Sequence, residues 1–141
     1  MAPLLLRLRE FFEGQSRGVV AAYLFGSFAR GSATESSDVD VAILLDRDPP
    51  RTFESLSLRV EGDLERLVGR PAQIVVLNRA PVDLVHRVLR DGVLLLDRGR
   101  AARIRFEVRA RAEYFDLLPL LRRYRGQEVA QATGGRKGTS A

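Results

Sequence analysis

Two aspartates, Asp38 and Asp40, stand one residue apart at the start of an apolar run. Residues i and i+2 of a β-strand point to the same face, so both carboxylates are expected on one side of the chain. Two carboxylates on one face can share a hard cation. Magnesium suits them because it prefers oxygen ligands and keeps positions open for phosphates. The pattern therefore predicts a magnesium site at the beginning of a strand.

A glycine–serine pair, Gly26 and Ser27, precedes these aspartates at the end of an earlier apolar run. Gly26 lets the backbone approach a ligand closely, and Ser27 can open a helical turn whose N–H groups and hydroxyl face an anion. The Gly-Ser pair alone, or the Asp-Val-Asp motif alone, is more typical of an ordinary polar turn. Together, in the order strand, glycine turn, strand, they favour a nucleoside triphosphate site.

The surrounding sequence predicts the elements that position these residues. Continuous apolar runs predict buried strands at 19–25, 38–46, 72–78 and 93–96, and helical spacing of apolar residues predicts helices before, between and after them. The expected order is α-β-α-β-α-β-α-β-α, with about one helical turn between the first two strands. A chain of 141 residues with 45% hydrophobic content is sufficient for one core. The fold class is therefore α/β.

The last predicted helix, from about Arg100 to Tyr124, carries apolar residues on two nearly opposite sides. The first stripe consists of Ile104, Val108, Ala112 and Phe115, and the second of Phe106, Ala110, Tyr114, Leu117 and Leu121. We expect the first stripe to pack on the sheet. The second is then either covered within the domain or exposed for contact with another chain, such as a second copy.

Two further features mark the C-terminal part of the chain. Pro119 is expected to kink or interrupt the last helix, because it lacks the backbone N–H that a helix interior uses. The segment 126–141 has few large apolar residues and is predicted to be a disordered tail. The predicted organisation is one domain at 1–125 followed by that tail.

Composition excludes several other classes of protein. The chain has no cysteine, so disulfides and thiolate metal sites are excluded. No apolar run is long enough for a signal sequence or a membrane span, so a cytoplasmic protein is expected, without a membrane partner. The net charge is +5, but the cations alternate with acids, which favours a solvated surface over a nucleic-acid groove.

The Gly-Ser pair, ten residues, and then Asp-Val-Asp resemble the nucleotidyltransferase superfamily that includes DNA polymerase beta. The small size and the closing helix look most like its minimal nucleotidyltransferase (MNT) branch. The resemblance implies a small mixed sheet of about four strands flanked by helices. It also implies that Gly26 and Ser27 hold the triphosphate of ATP and that Asp38 and Asp40 ligate Mg²⁺. Arg30 either steadies phosphates or pairs with a local acid.

MNT proteins are commonly paired with a helical HEPN ribonuclease, a toxin that they silence by transferring AMP from ATP to one of its tyrosines. The resemblance therefore implies a protein AMP-transferase that acts as an antitoxin. One departure stands against it: where the superfamily commonly has a third carboxylate on a following strand, this chain has Gln73. An uncharged amide is no base and a poor ligand for a hard cation. The alternative is a weak or inactive relative that neutralises its partner by binding alone.

Overall fold

The computed structural model describes residues 2–15, 18–47 and 53–140, and their side chains at 3–15, 18–47 and 57–126. The elements follow the predicted order. The helices are α1 (Ala2–Glu13), α2 (Ser27–Arg30), α3 (Phe53–Val68), α4 (Val82–Asp91) and α5 (Arg100–Ser140), with a 3-10 turn at Leu77–Arg79. The strands are β1 (Val19–Phe25), β2 (Val39–Leu45), β3 (Ala72–Val76) and β4 (Val93–Asp97).

The four strands form one mixed sheet in the order β3-β2-β1-β4. β1 pairs antiparallel with both β2 and β4, whereas β2 and β3 run parallel. β1 ends and β2 begins at the same edge, because Phe25 lies opposite Asp40. The predicted mixed sheet flanked by helices, with a long C-terminal helix, is therefore confirmed.

Successive side chains of the central strands point to opposite faces of the sheet, so the core consists of two clusters, one on each face. Leu24 and Val41 face α1 and α3, which contribute Leu8 and Leu64 to the same buried cluster. The opposite cluster contains Ala42, Leu44 and Tyr23 from the sheet, Val85 and Val88 from α4, and Ala110 from α5. Because helices cover both faces of the sheet, its central strands are apolar along their whole length, as the continuous apolar runs indicated.

A half-buried polar network joins α5 to the sheet. The Tyr23 hydroxyl donates a hydrogen bond of 2.9 Å to Glu107 Oε2, which lies 2.7 Å from Arg103 Nη1. Arg103 Nε also donates to Asp97 Oδ2 at the end of β4, over 3.0 Å. Burial, with the Glu107 hydrogen bond second, raises the pKa of Tyr23 above its ordinary range, so the phenol stays a proton donor. This network sets the rotation of α5 against β1 and β4.

That rotation reverses the prediction for the two stripes of α5. Members of the second stripe face inward: Ala110 is buried, Phe106 packs against the same core cluster, and Tyr114 contacts α4. The first stripe is exposed, with Val108 at 59% and Phe115 at 70% of their full accessibility. The expectation that the first stripe packs on the sheet was wrong. Helical spacing defines two stripes, but only contacts with other elements select the buried one.

The helix α5 continues through both Pro119 and the segment that was predicted to be a tail. Pro119 lies inside the helix, which continues past it, so the predicted interruption is absent. The helical backbone also runs through 126–140, where composition predicts a disordered tail. The division into a domain at 1–125 and a tail stays a prediction. Among the residues that the structure describes, no helix combines the length and apolar character that a membrane span requires.

Candidate functional site

A glycine turn connects β1 to the single-turn helix α2. Gly26 has φ 76° and ψ −155°, a conformation that is essentially restricted to glycine. The backbone N–H of Arg30 donates to the Gly26 carbonyl over 3.1 Å, and that of Ser32 donates to the Ser27 carbonyl over 2.9 Å. Gly31 then ends the turn in the left-handed conformation. These bonds place Gly26 and Ser27 at the edge of the sheet, directly after β1.

The Asp40 carboxylate lies against this turn. A Cβ atom built on Gly26 would be only 2.3 Å from Asp40 Oδ2, so the carboxylate occupies the space that a side chain at residue 26 would need. Asp40 is the second residue of β2 and is half-buried, while Asp38 precedes the strand and is exposed. The structure thus brings the predicted Gly-Ser turn and the nearer aspartate into contact.

The negative charge of Asp38 acts on the Asp40 carboxyl. Burial raises the pKa of the Asp40 carboxyl, the negative charge of Asp38 raises it further, and the positive charge of Arg30 partly opposes both. A carboxylate that is desolvated beside a like charge is stabilised by any cation that both can share. Asp38 and Asp40 therefore suit a hard, oxygen-preferring ion such as Mg²⁺.

We expect Asp40→Asn to raise the unfolding midpoint at neutral pH in the absence of magnesium. The pKa of Asp40 is raised in the folded state, so ionising this carboxyl costs free energy there at any pH above that pKa. Asparagine removes that cost. The gain should shrink as pH falls and vanish where the carboxyl is protonated in both folded and unfolded states. Melting curves of the two proteins across pH test this; equal midpoints at neutral pH would contradict it.

Arg70 holds the loop that leads to the aspartates. Its Nη1 donates to the carbonyls of Thr34 and Ser37, over 3.0 and 3.1 Å, and its guanidinium lies 5.0 Å from the centre of the Phe28 ring. Within the loop, the Thr34 N–H donates to the Ser37 hydroxyl oxygen over 2.8 Å. Arg70 therefore ties α2 and the segment before Asp38 to the start of β3. The sequence analysis did not identify this role.

A cleft of about 340 Å³ opens beside the glycine turn. One wall carries predicted residues: Gly26, Ser27, Arg30 and Asp40. The opposite wall, which sequence analysis missed, consists of Leu84, Arg87 and Asp91 of α4. Their spacing places all three on one helix face. That spacing is the only sequence signal for the second wall, and it does not indicate where α4 packs.

Gln73 lies on β3 directly beside Asp40 in the parallel ladder. Paired residues of neighbouring strands project to the same face, so its amide stands where a third acidic side chain would neighbour the two aspartates. Within the part of the chain that the structure describes, no three His, Asp or Glu side chains are grouped to hold a metal ion. The acidic set at this edge is therefore Asp38 and Asp40.

Comparison with known proteins gives a family match over most of this fold. The profile of the family described as "Polymerase beta, Nucleotidyltransferase" matches residues 7–101, which include the glycine turn, both aspartates and the α4 wall. A protein of Methanocaldococcus jannaschii, provisionally named protein adenylyltransferase MJ0435, is 31% identical over 77 residues. That match covers 55% of this chain and 74% of the relative.

Solved structures share the fold at low sequence identity. A chain of a crystal structure of a toxin-antitoxin with AMP-PNP superposes with a TM-score of 0.73 and 20% identity, covering 89% of this chain and 98% of that chain. A second match is a chain from the tri-AMPylated Shewanella oneidensis HEPN toxin in complex with MNT antitoxin. Its TM-score is 0.68 at 18% identity, with 90% of this chain and 98% of that chain covered. At these identities the likeness concerns the fold.

Proposed function

Because the chain belongs to the polymerase beta-like nucleotidyltransferase family, we propose that it is a Mg²⁺- and ATP-dependent protein AMP-transferase. The observation that carries the proposal is the contact between the Gly26 turn and the Asp40 carboxylate at the mouth of the cleft. A turn of the kind that binds phosphates is thus in contact with a carboxylate of the kind that ligates a cation, which supports the proposal. The relative that is provisionally named a protein adenylyltransferase supports AMP transfer in particular.

Each residue of the site has a role in this proposal. Asp38 and Asp40 would hold Mg²⁺, which would screen the charge of the triphosphate. Gly26 and Ser27 bind phosphate oxygens through backbone N–H groups and the Ser27 hydroxyl, and Arg30 steadies the same group. An acceptor hydroxyl oxygen loses its proton to solvent and attacks the α-phosphorus, the bond from that phosphorus to pyrophosphate breaks, and pyrophosphate leaves. The site's contribution is positioning and charge stabilisation.

We also propose that the acceptor is a tyrosine of a HEPN-family toxin and that the chain acts as its antitoxin in the cytoplasm. The fold likeness to chains of toxin-antitoxin complexes supports this assignment. The exposed stripe of α5, with Ile104, Val108 and Phe115, offers an apolar surface for such a partner or for a second copy of the chain.

The alternative is a protein with the same fold that neutralises its partner by binding alone. Gln73 is the observation that favours it, since an uncharged amide stands in register with Asp40. One experiment separates the two functions. The full chain is incubated with labelled ATP, Mg²⁺ and a candidate HEPN-family partner, with and without a chelator. Magnesium-dependent label on the partner supports transfer, whereas a stable complex without label supports the binding function.

We expect Gln73→Glu to raise the rate of AMP transfer about tenfold or more, the size commonly found for groups next to a metal ligand. The new carboxylate would neighbour Asp40 and add negative charge where the cation binds. Initial transfer rates of the parent, Gln73→Glu and Gln73→Met measure this, the methionine variant being uncharged and similar in size. If the glutamate variant folds normally but is no faster than the methionine variant, the two aspartates suffice for the reaction.

A further inference from the structure

Helix α4 is held in one orientation by contacts on two of its sides. Val85 and Val88 are buried against the sheet. On the side toward α5, the His86 ring stacks on Tyr114 with centroids 3.5 Å apart, and Arg125 Nη2 lies 3.2 Å from Asp83 Oδ1. These contacts leave the face with Leu84, Arg87 and Asp91 toward the cleft. The position of Arg87 is therefore a consequence of packing.

The charged groups of the cleft are not equally compensated. Asp91 accepts two hydrogen bonds from Arg90, both 2.9 Å, so a guanidinium fork already neutralises its carboxylate. The positive charge of Arg30 acts on the carboxyls of both Asp40 and Asp91, where it favours the ionised form without outweighing the larger effects on either group. For Arg87, by contrast, no hydrogen bond or ion pair is formed with the residues whose side chains the structure describes. The Arg87 guanidinium in the cleft therefore has no ion-paired carboxylate among the residues whose side chains the structure describes.

We propose that Arg87 binds the phosphate chain of the nucleoside triphosphate from the α4 wall, opposite the Gly26–Ser27 turn. This inference rests on the proposed function, because it names a further residue for the same substrate. A guanidinium presents paired donors that match phosphate oxygens. The Arg87 guanidinium has no ion-paired carboxylate among the described side chains and lies in a cleft that also contains a turn suited to phosphates. Such a cleft favours an anionic ligand over a neutral one. The triphosphate would then be held between arginines of both walls, Arg30 and Arg87.

The test is equilibrium binding of MgATP and of magnesium pyrophosphate to the full-length protein. Arg87→Ala is expected to lower the affinity for both ligands about tenfold or more, because each ligand loses a charge-assisted hydrogen bond. Arg87→Lys, which keeps the charge but loses the fork, should lie between that variant and the parent. Arg87 is exposed, so both variants should retain the parent's unfolding midpoint.

Arg59→Ala is the matched control, because Arg59 is also an exposed helical arginine but lies on α3, on the other face of the sheet. It removes the same charge and should bind both ligands like the parent. Equal affinities for the parent and both Arg87 variants would overturn the Arg87 proposal and leave the proposed function intact. So would weaker MgATP binding with unchanged pyrophosphate binding, which would assign Arg87 to the nucleoside. A parent protein that binds neither ligand would overturn both proposals.

Discussion

Asp38→Asn combined with Asp40→Asn is expected to reduce AMP transfer about 10³-fold or more. The double variant keeps the size of both side chains but removes the two negative charges that would hold Mg²⁺ at the cleft. Loss of groups that stabilise developing charge commonly costs about 10²–10³ each in rate. Initial rates of label transfer from ATP to the partner protein measure the effect. MgATP binding should weaken in the same variant, and the residual binding should no longer depend on magnesium.

Asp46→Asn provides the control for this pair. Asp46 directly follows the other end of β2 and is exposed, so it is a strand-end carboxylate remote from the glycine turn. Its variant should transfer AMP at the parent's rate. A double variant of Asp38 and Asp40 that folds, binds its partner and still transfers AMP at that rate would show that the chemistry does not depend on these carboxylates.

The second large effect is expected for Gly26→Ala, which should abolish measurable MgATP binding. The added Cβ would lie 2.3 Å from Asp40 Oδ2, closer than any stable contact, so either the carboxylate or the turn must move. The φ of 76° with ψ of −155° adds backbone strain of about 1–3 kcal/mol for any residue with a side chain. Calorimetric titration with MgATP measures the loss, and thermal unfolding measures the strain.

Gly31→Ala separates the effect of backbone strain from the effect of the clash with Asp40. Gly31 has nearly the same φ, 75°, but a Cβ there would meet nothing within 4 Å. This variant should therefore lose about 1–2 kcal/mol of stability through its left-handed backbone and yet bind MgATP like the parent. If Gly31→Ala impaired binding as strongly as Gly26→Ala, general strain in the turn would explain the defect, and contact with Asp40 would not.

The local sequence correctly predicted the bounds of those strands and helices that depend on a single segment of the chain. The strand β1 begins and ends at the predicted residues, and a helix, α4, lies between the third and fourth strands as expected, after Pro81 and before Gly92. Apolar periodicity, proline and glycine act over a few residues, so their signals survive without knowledge of the neighbours. β3 was predicted to reach residue 78 but ends at Val76, where a 3-10 turn begins. Leu77, the last apolar residue of the predicted strand, is buried but belongs to that turn.

The amino-acid sequence by itself determined the order of the elements and the motif of Gly26, Ser27, Asp38 and Asp40, because spacing along a strand or turn controls these features. Only the tertiary structure decided which stripe of α5 is buried and which helix forms the second wall of the cleft. Both outcomes depend on contacts between residues far apart in the chain, such as Tyr23 with Glu107 and His86 with Tyr114. A periodic pattern specifies the faces of a helix, whereas the free energy of packing against its neighbours selects the face that becomes buried.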